Sequence, residues 1–318
     1  VNLNQLDVCS TEGNIDMTLN LKSSRNGKAV YSRSCNLLFL PLVLSLCLLP
    51  INSHSSPDTG KQAEPEISSA LDSISLLDFA NAASKLDTIL KSSGAGTPEW
   101  EKASLSKAVC LHCQQPDRES DKAEAARLYD QIIEKKSGSI SYQLALLFRG
   151  NLADRVDYLG DKPDPEKALK CYDTLLSGFP NSSLAPYAVL YRAEAKCFTD
   201  PKKDCAAAIA ELESWLKQHP DNSLASLQWY FIADIRYYPL GDCKGATTAM
   251  LQSEKAGLPP AILRDEFWWK LANLAAMGGD KVLAETYLNK ILNLEFSRLK
   301  TASKNMLAEM KADNGGAR

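Results

Sequence analysis

The sequence predicts an all-α protein, an α-solenoid of about six helix–turn–helix repeats wound into a right-handed superhelix. Three observations predict it. After residue 66, stretches of about 14 to 18 residues place apolar side chains at i, i+3, i+4 and i+7, the spacing of one helix face. Runs of alternating Val, Ile and Thr, the mark of strands, are missing. A segment repeats itself: Phe179-Pro180-Asn181-Ser182-Ser183-Leu184-Ala185 returns 40 residues later as His219-Pro220-Asp221-Asn222-Ser223-Leu224-Ala225.

Along the chain, the first informative segment is a leader. Asn36 to Leu49 reads NLLFLPLVLSLCLL. Lys22, Arg25, Lys28 and Arg33 precede it, and small polar residues follow it at Asn52–Ser56. A basic region, an apolar core of about 13 residues and a small-residue exit are the parts of a secretory signal peptide. The core falls short of the roughly 20 residues of a membrane span, and Pro41 interrupts it. Residues 1–55 are therefore expected to be a signal peptide with an upstream extension, the true start being Met17. The expected location is exported, in the periplasm or cell envelope of a bacterium. Cys47 in Leu44-Ser45-Leu46-Cys47 resembles a bacterial lipobox, but that motif has a small residue where Leu46 stands. Lipidation is the lesser expectation, and a retained or lipidated leader is the only membrane contact expected.

Residues 56–66 are polar and contain two prolines, so they read as a linker. The solenoid is expected over 67–310 and a disordered tail over 311–318. Within it the breaks have mechanisms. Asp164-Pro165 and Asp200-Pro201 each put a capping acid before a proline, where the missing N–H costs nothing. Gly178, Gly257 and Gly278-Gly279 suit helix ends that need a positive φ. Pro180, Pro220 and Pro259-Pro260 stop one helix before the next.

The repeat extends beyond its turn. Ala168, Tyr172 and Leu175 match Ala208, Leu212 and Trp215, and Ala188 and Tyr191 match Gln228 and Phe231. Here the chain resembles the tetratricopeptide repeat family. That family has a small residue on the second helix, an aromatic four residues on, and a proline eight beyond; Ala168, Tyr172 and Pro180 meet all three. Its first helix carries small and aromatic residues three apart, as do Ala188 and Tyr191. The small position recurs at Ala82, Ala125, Ala168, Ala208, Ala246 and Ala284, in steps of 43, 43, 40, 38 and 38. Leu86, Tyr129, Tyr172, Leu212, Met250 and Leu288 follow four residues after each. Long, irregular repeats of this kind look like those of bacterial cell-envelope proteins. The resemblance implies packing roles for Ala168, Tyr172, Pro180, Ala188, Tyr191, Ala208, Leu212, Pro220 and Phe231. It also implies a concave groove lined by Val189 and Arg192, then Trp229 and Ile232, then Phe267 and Lys270. A protein or peptide segment would lie there, and self-association stays open.

Composition limits the chemistry. Apolar and charged fractions of 45% and 24% are those of a globular chain. The net charge of −3 leaves no basic face fit for many phosphates, so nucleic acid is not an expected partner. Cys110-Leu111-His112-Cys113 is the one sharp motif, but it lies inside a helical stretch, has no second CxxC, and is followed by Gln114 rather than His. Of nine cysteines, Cys110, Cys113, Cys171, Cys197, Cys205 and Cys243 lie beyond the leader, and Cys197 with Cys205 flank one turn as the best disulfide pair. The histidines are His54, His112 and His219, too few for a convincing triad. No catalytic residue, metal or cofactor is expected. The expected function is an exported, non-catalytic scaffold; a thiol-redox enzyme using Cys110 and Cys113, or a purely structural envelope subunit, are the alternatives.

Overall fold

A computed structural model describes residues 60–114, 118–199, 204–260 and 262–315. The expected signal peptide, its start at Met17, the first part of the linker and residues 316–318 lie outside them. Among the described residues there are 13 α-helices and no strand. They form six antiparallel pairs: α1 (Gly60–Ser75) with α2 (Phe79–Ser92), α3 (Pro98–Cys113) with α4 (Glu119–Glu134), and α5 (Ile140–Asp154) with α6 (Pro165–Gly178). Then come α7 (Ala185–Glu194), extended by a π turn (Ala195–Thr199), with α8 (Cys205–Gln218); α9 (Ala225–Tyr237) with α10 (Cys243–Lys255); and α11 (Arg264–Met277) with α12 (Lys281–Leu292). A last helix, α13 (Lys300–Gly315), closes the array. Each helix packs on its predecessor and successor, which makes the chain a tetratricopeptide-like α-solenoid.

Two boundaries differ from the expectation. α1 starts at Gly60, inside the expected linker, and holds Pro65 within it. Ile67, Ala70 and Ile74 are each at most 1% exposed, so docking outweighs the proline's lost hydrogen bond. At the other end α13 continues past Met310 to Gly315, where a disordered tail was expected.

The helix starts follow the capping logic. Side chains of Asp78, Thr97, Ser139, Asp164, Asp204, Asp242 and Asp280 accept a backbone N–H in the first turn of the helix that follows. Asp164-Pro165 behaves as expected; Asp200-Pro201 lies outside the described residues, and the helix that follows, α8, is capped by Asp204. Four of the turns between paired helices place a left-handed residue before an aspartate: Leu77 (φ 61°), Gly160 (96°), Gly241 (65°) and Gly279 (86°). Three are glycine, for which this region is free; Leu77 is not. Gly257 also has φ of 110°, whereas Gly178 ends α6 without leaving the negative region.

The alanine series is the spine of the core. Ala82, Ala125, Ala168, Ala208, Ala246 and Ala284 are all 0% exposed, and so are the six larger side chains four residues after them. Ala188, Tyr191 and Phe231 are buried as expected, whereas Pro180 and Pro220 lie exposed in turns and act by ending helices rather than by packing. First helices are buried nearly all round: α5 covers Leu144 to Phe148 without a break. Second helices bury one stripe, as α6 does with Ala168, Cys171, Tyr172 and Leu175. First helices also touch one another, α1 with α3, α3 with α5, and α5 with α7. They form one layer and the second helices the other. Closeness between layers has a steric condition at Gly150 on α5, where a Cβ would sit 2.5 Å from Cε1 of Tyr172.

Candidate functional site

The second helices stand apart, so that troughs open between them with a first helix as floor. The trough between α6 and α8 is lined by Leu169, Lys170, Asp173 and Leu176 on one wall and by Glu211, Ser214, Trp215 and Gln218 on the other. Val189 and Arg192 of α7 form its floor. Trp215 stacks on His219 with ring centroids 3.9 Å apart, and its indole N–H finds no acceptor. The trough therefore joins an apolar strip to a line of charges.

Those charges belong to a column that runs along the solenoid. Lys107 of α3 meets Asp87 of α2 at 2.7 Å, Arg149 of α5 meets Asp130 of α4 at 3.2 Å, Arg192 of α7 meets Asp173 of α6 at 2.9 Å, and Arg236 of α9 meets Glu213 of α8 at 2.9 Å. Each acid lies five residues after its repeat's alanine. Each cation comes from the next first helix, so the column ties one repeat to the next. It stops at the fifth repeat, where Leu251 takes the acid's place. Arg192 also reaches Glu211 at 2.7 Å, and Lys196 reaches the same carboxylate at 2.5 Å. Burial pushes the Glu211 carboxyl up, but the hydrogen bonds from Lys196 and Arg192 outweigh it and hold the group below its ordinary value.

The expected groove column divides. Arg192 lies on the trough floor, whereas Val189 beside it is 5% exposed and belongs mostly to the core. Trp229 is half-buried on α9. Ile232 and Phe267 are 0% exposed and belong to the core, so the expectation that they line a groove is corrected. For Phe267 the cause is register. Burial on α11 follows that on α9 at a step of 39 residues: Ser226, Gln228, Ile232 and Ile235 correspond to Asp265, Phe267, Leu271 and Leu274, all buried. The expected step of 38 came from matching the aromatic triplets Trp229-Tyr230-Phe231 and Phe267-Trp268-Trp269, and one residue of error turns a helical side chain by about 100°. Phe267 thus takes the place of buried Gln228, whose amide donates to the Pro186 carbonyl at 3.0 Å. Ile232 holds the Arg192 position, but it carries no charge to keep wet; the cation appears one turn later as Arg236. Lys270 is half-buried, paired with Asp234 and set 3.7 Å from the centre of the Tyr230 ring. Burial opposes its charge, yet Asp234 and Tyr230 raise its pKa well above the usual lysine value.

The cysteines do not assemble a reactive centre. Cys110 is 0% exposed and Cys113 is the last residue of α3. A helix C-terminus carries partial negative charge and disfavours a thiolate, the reverse of the setting a reactive CxxC uses. Between them His112 lies 3.4 Å from the Tyr129 hydroxyl, and burial, with Arg155 and Lys122 nearby, drives its pKa well below the ordinary imidazole value. Cys197 and Cys205, the pair expected as a disulfide, lie close together at the ends of α7 and α8, with the Cys205 Sγ 3.8 Å from the Cys197 carbonyl oxygen. Among the described residues no group of three or more His, Cys, Asp or Glu side chains is placed to hold a metal ion, and no helix is long and apolar enough to cross a membrane.

Sequence reasoning missed Leu169, Leu176 and Trp215 as trough walls and missed the acid column. The signals were present: Trp215 replaces Leu175 in the 40-residue match, and acids recur five after each of the first four alanines.

No family model matches the chain, and no curated protein matches it. Among solved structures, a tetratricopeptide repeat protein from Parabacteroides merdae is similar at 15% identity, over 78% of this chain and 98% of that one, with a TM-score of 0.41.

Proposed function

We propose that this chain is a non-catalytic scaffold that holds a segment of another protein, and that the trough between α6 and α8 is where it does so. The observation that carries this reading is the trough itself. Leu169, Leu176 and Trp215 offer apolar contact in an open channel, above a floor that Val189 closes from the core side. The bordering acids Asp173 and Glu211 are already paired with Arg192 and Lys196, so recognition rests on the apolar strip rather than on charge. The basic and then apolar leader supports an exported location, in the periplasm or cell envelope, as the place where that partner is met.

The test is site-specific photocrosslinking at Ser177 and Ser214, exposed positions on the two walls, in native envelope extract, paired with Trp215→Ala and Leu176→Ala. Both substitutions should reduce capture of a discrete partner at least about tenfold, the size expected for loss of an anchor residue. A crosslinker at Thr286, on the exposed side of α12, should capture none of it. Equal capture from Thr286, or a partner indifferent to both substitutions, overturns the assignment of the trough.

A further inference from the structure

We infer that Cys197 and Cys205 form a disulfide that closes the turn between α7 and α8 when the chain folds under oxidising conditions. The two lie eight residues apart, on the π turn that ends α7 and at the first position of α8. The Cys205 thiol donates to the Cys197 carbonyl oxygen at 3.8 Å, which brings the two residues together at the helix ends. Both residues are almost fully covered, at 2% and 4% exposure. The π turn contributes an extra residue to its helix and so re-aims the side chains at that end. At the next pair the comparison fails: Cys243 opens α10 as Cys205 opens α8, but the residue 40 after Cys197 is Tyr237.

The oxidant would be a small-molecule disulfide such as glutathione disulfide. One cysteine thiolate attacks its S–S bond, expels a glutathione thiolate and leaves a mixed disulfide. The second cysteine thiolate attacks the protein-bound sulfur and expels the other glutathione. The protein loses two protons and two electrons, and the oxidant becomes two reduced glutathiones. Burial, then the neighbouring Cys205 side chain, pushes the Cys197 thiol up, so attack from the folded state is slow. The bridge forms as the turn closes, and it is then protected from reductant.

The inference does not depend on what the trough binds. Its test uses the full chain, denatured and reduced, then refolded in a glutathione redox buffer and alkylated under denaturing, non-reducing conditions. Lys202 and Lys203 lie between the cysteines, so trypsin separates the two peptides unless a bridge joins them. The expected result is a Cys197–Cys205 linked peptide pair that disappears on reduction. It should be absent in Cys205→Ser and present in Cys243→Ser. The bridged protein should also melt at a higher temperature than the same protein refolded with reductant. Recovery of both peptides alkylated and unlinked from folded protein, or linkage of either cysteine elsewhere, overturns the inference.

Discussion

Gly150→Ala is the most direct test of how the two layers are held together. Gly150 lies mid-way along α5, where glycine is the poorer helix former by about 1 kcal/mol relative to alanine. Propensity alone therefore makes this substitution stabilising. The structure reverses the sign. An added Cβ would stand 2.5 Å from Cε1, 2.8 Å from Cζ and 3.1 Å from Cδ1 of Tyr172. Real carbon contacts begin near 3.4 Å, so the ring must retreat by close to an ångström. It has nowhere to go: Tyr172 is 0% exposed, and the Tyr191 ring lies behind it at 6.2 Å between centroids. Overpacking of a filled core costs about 1–3 kcal/mol, and up to about 4 where nothing yields. The closed surroundings of Tyr172 favour the upper half of that range, about 2–4 kcal/mol, so a net loss of about 1–3 kcal/mol remains after the propensity gain is subtracted. In a chain of this length that is a fall in Tm of about 2–12 °C, read by far-UV circular dichroism. Tyr172→Leu removes the obstructing ring atoms and on its own should destabilise by leaving a cavity. Combined with Gly150→Ala it should cost less than the two single changes added, by about 1 kcal/mol or more. If Gly150→Ala raises the Tm, or if the double variant is additive, the glycine is not what allows α5 and α6 to approach.

Two further predictions concern the turns and the charges. Leu77 adopts φ of 61° with its side chain half exposed, in a turn where the corresponding residues before Asp161, Asp242 and Asp280 are glycine. Leu77→Gly should relieve about 1–2 kcal/mol of left-handed strain against about 0.5–1 kcal/mol of added unfolded-state entropy, a small rise in Tm; a fall would mean the leucine side chain contributes more by contact than its backbone costs. Glu211→Gln should destabilise the protein at neutral pH, because Arg192 and Lys196 lose a shared carboxylate, whereas Asp173→Asn should do little, since Asp173 is 62% exposed and its pair is screened. The Glu211 pKa is lower in the folded chain than in the unfolded one, so its contribution is present above the unfolded value and is lost as the pH falls through the folded value. Urea midpoints of wild type and Glu211→Gln should therefore converge as the pH falls through the lowered folded-state value; a gap that persists once the carboxyl is protonated in both states would assign the effect to packing.

What was legible in the sequence follows from which constraints are local. A small residue where helices cross, with a large one a turn later, is a steric requirement stated within a single helix. The alanine series could therefore be read from end to end, and every member is buried. The capping acid at Asp164 is local in the same way. The groove was not, because it depends on the phase of one first helix against the next, and phase depends on turn length. Between α9 and α11 that step is 39 while the flanking second helices step by 38, enough to rotate Phe267 from the groove into the core. The acid column shows the opposite case. Asp87, Asp130, Asp173 and Glu213 sit at a constant place in their repeats, but a residue five after the alanine does not share its face, and the cations they meet come 19 to 23 residues later on another helix. The spacing acquires meaning only once repeats are stacked. Its end at Leu251 then has a consequence: beyond the fourth repeat the inter-repeat charges move elsewhere, to Lys270 with Asp234 between first helices and to Lys290 with Glu254 between second helices. The trough proposed as the binding site lies where the column is still intact and Arg192 is held from both walls, so its floor is fixed before any partner arrives.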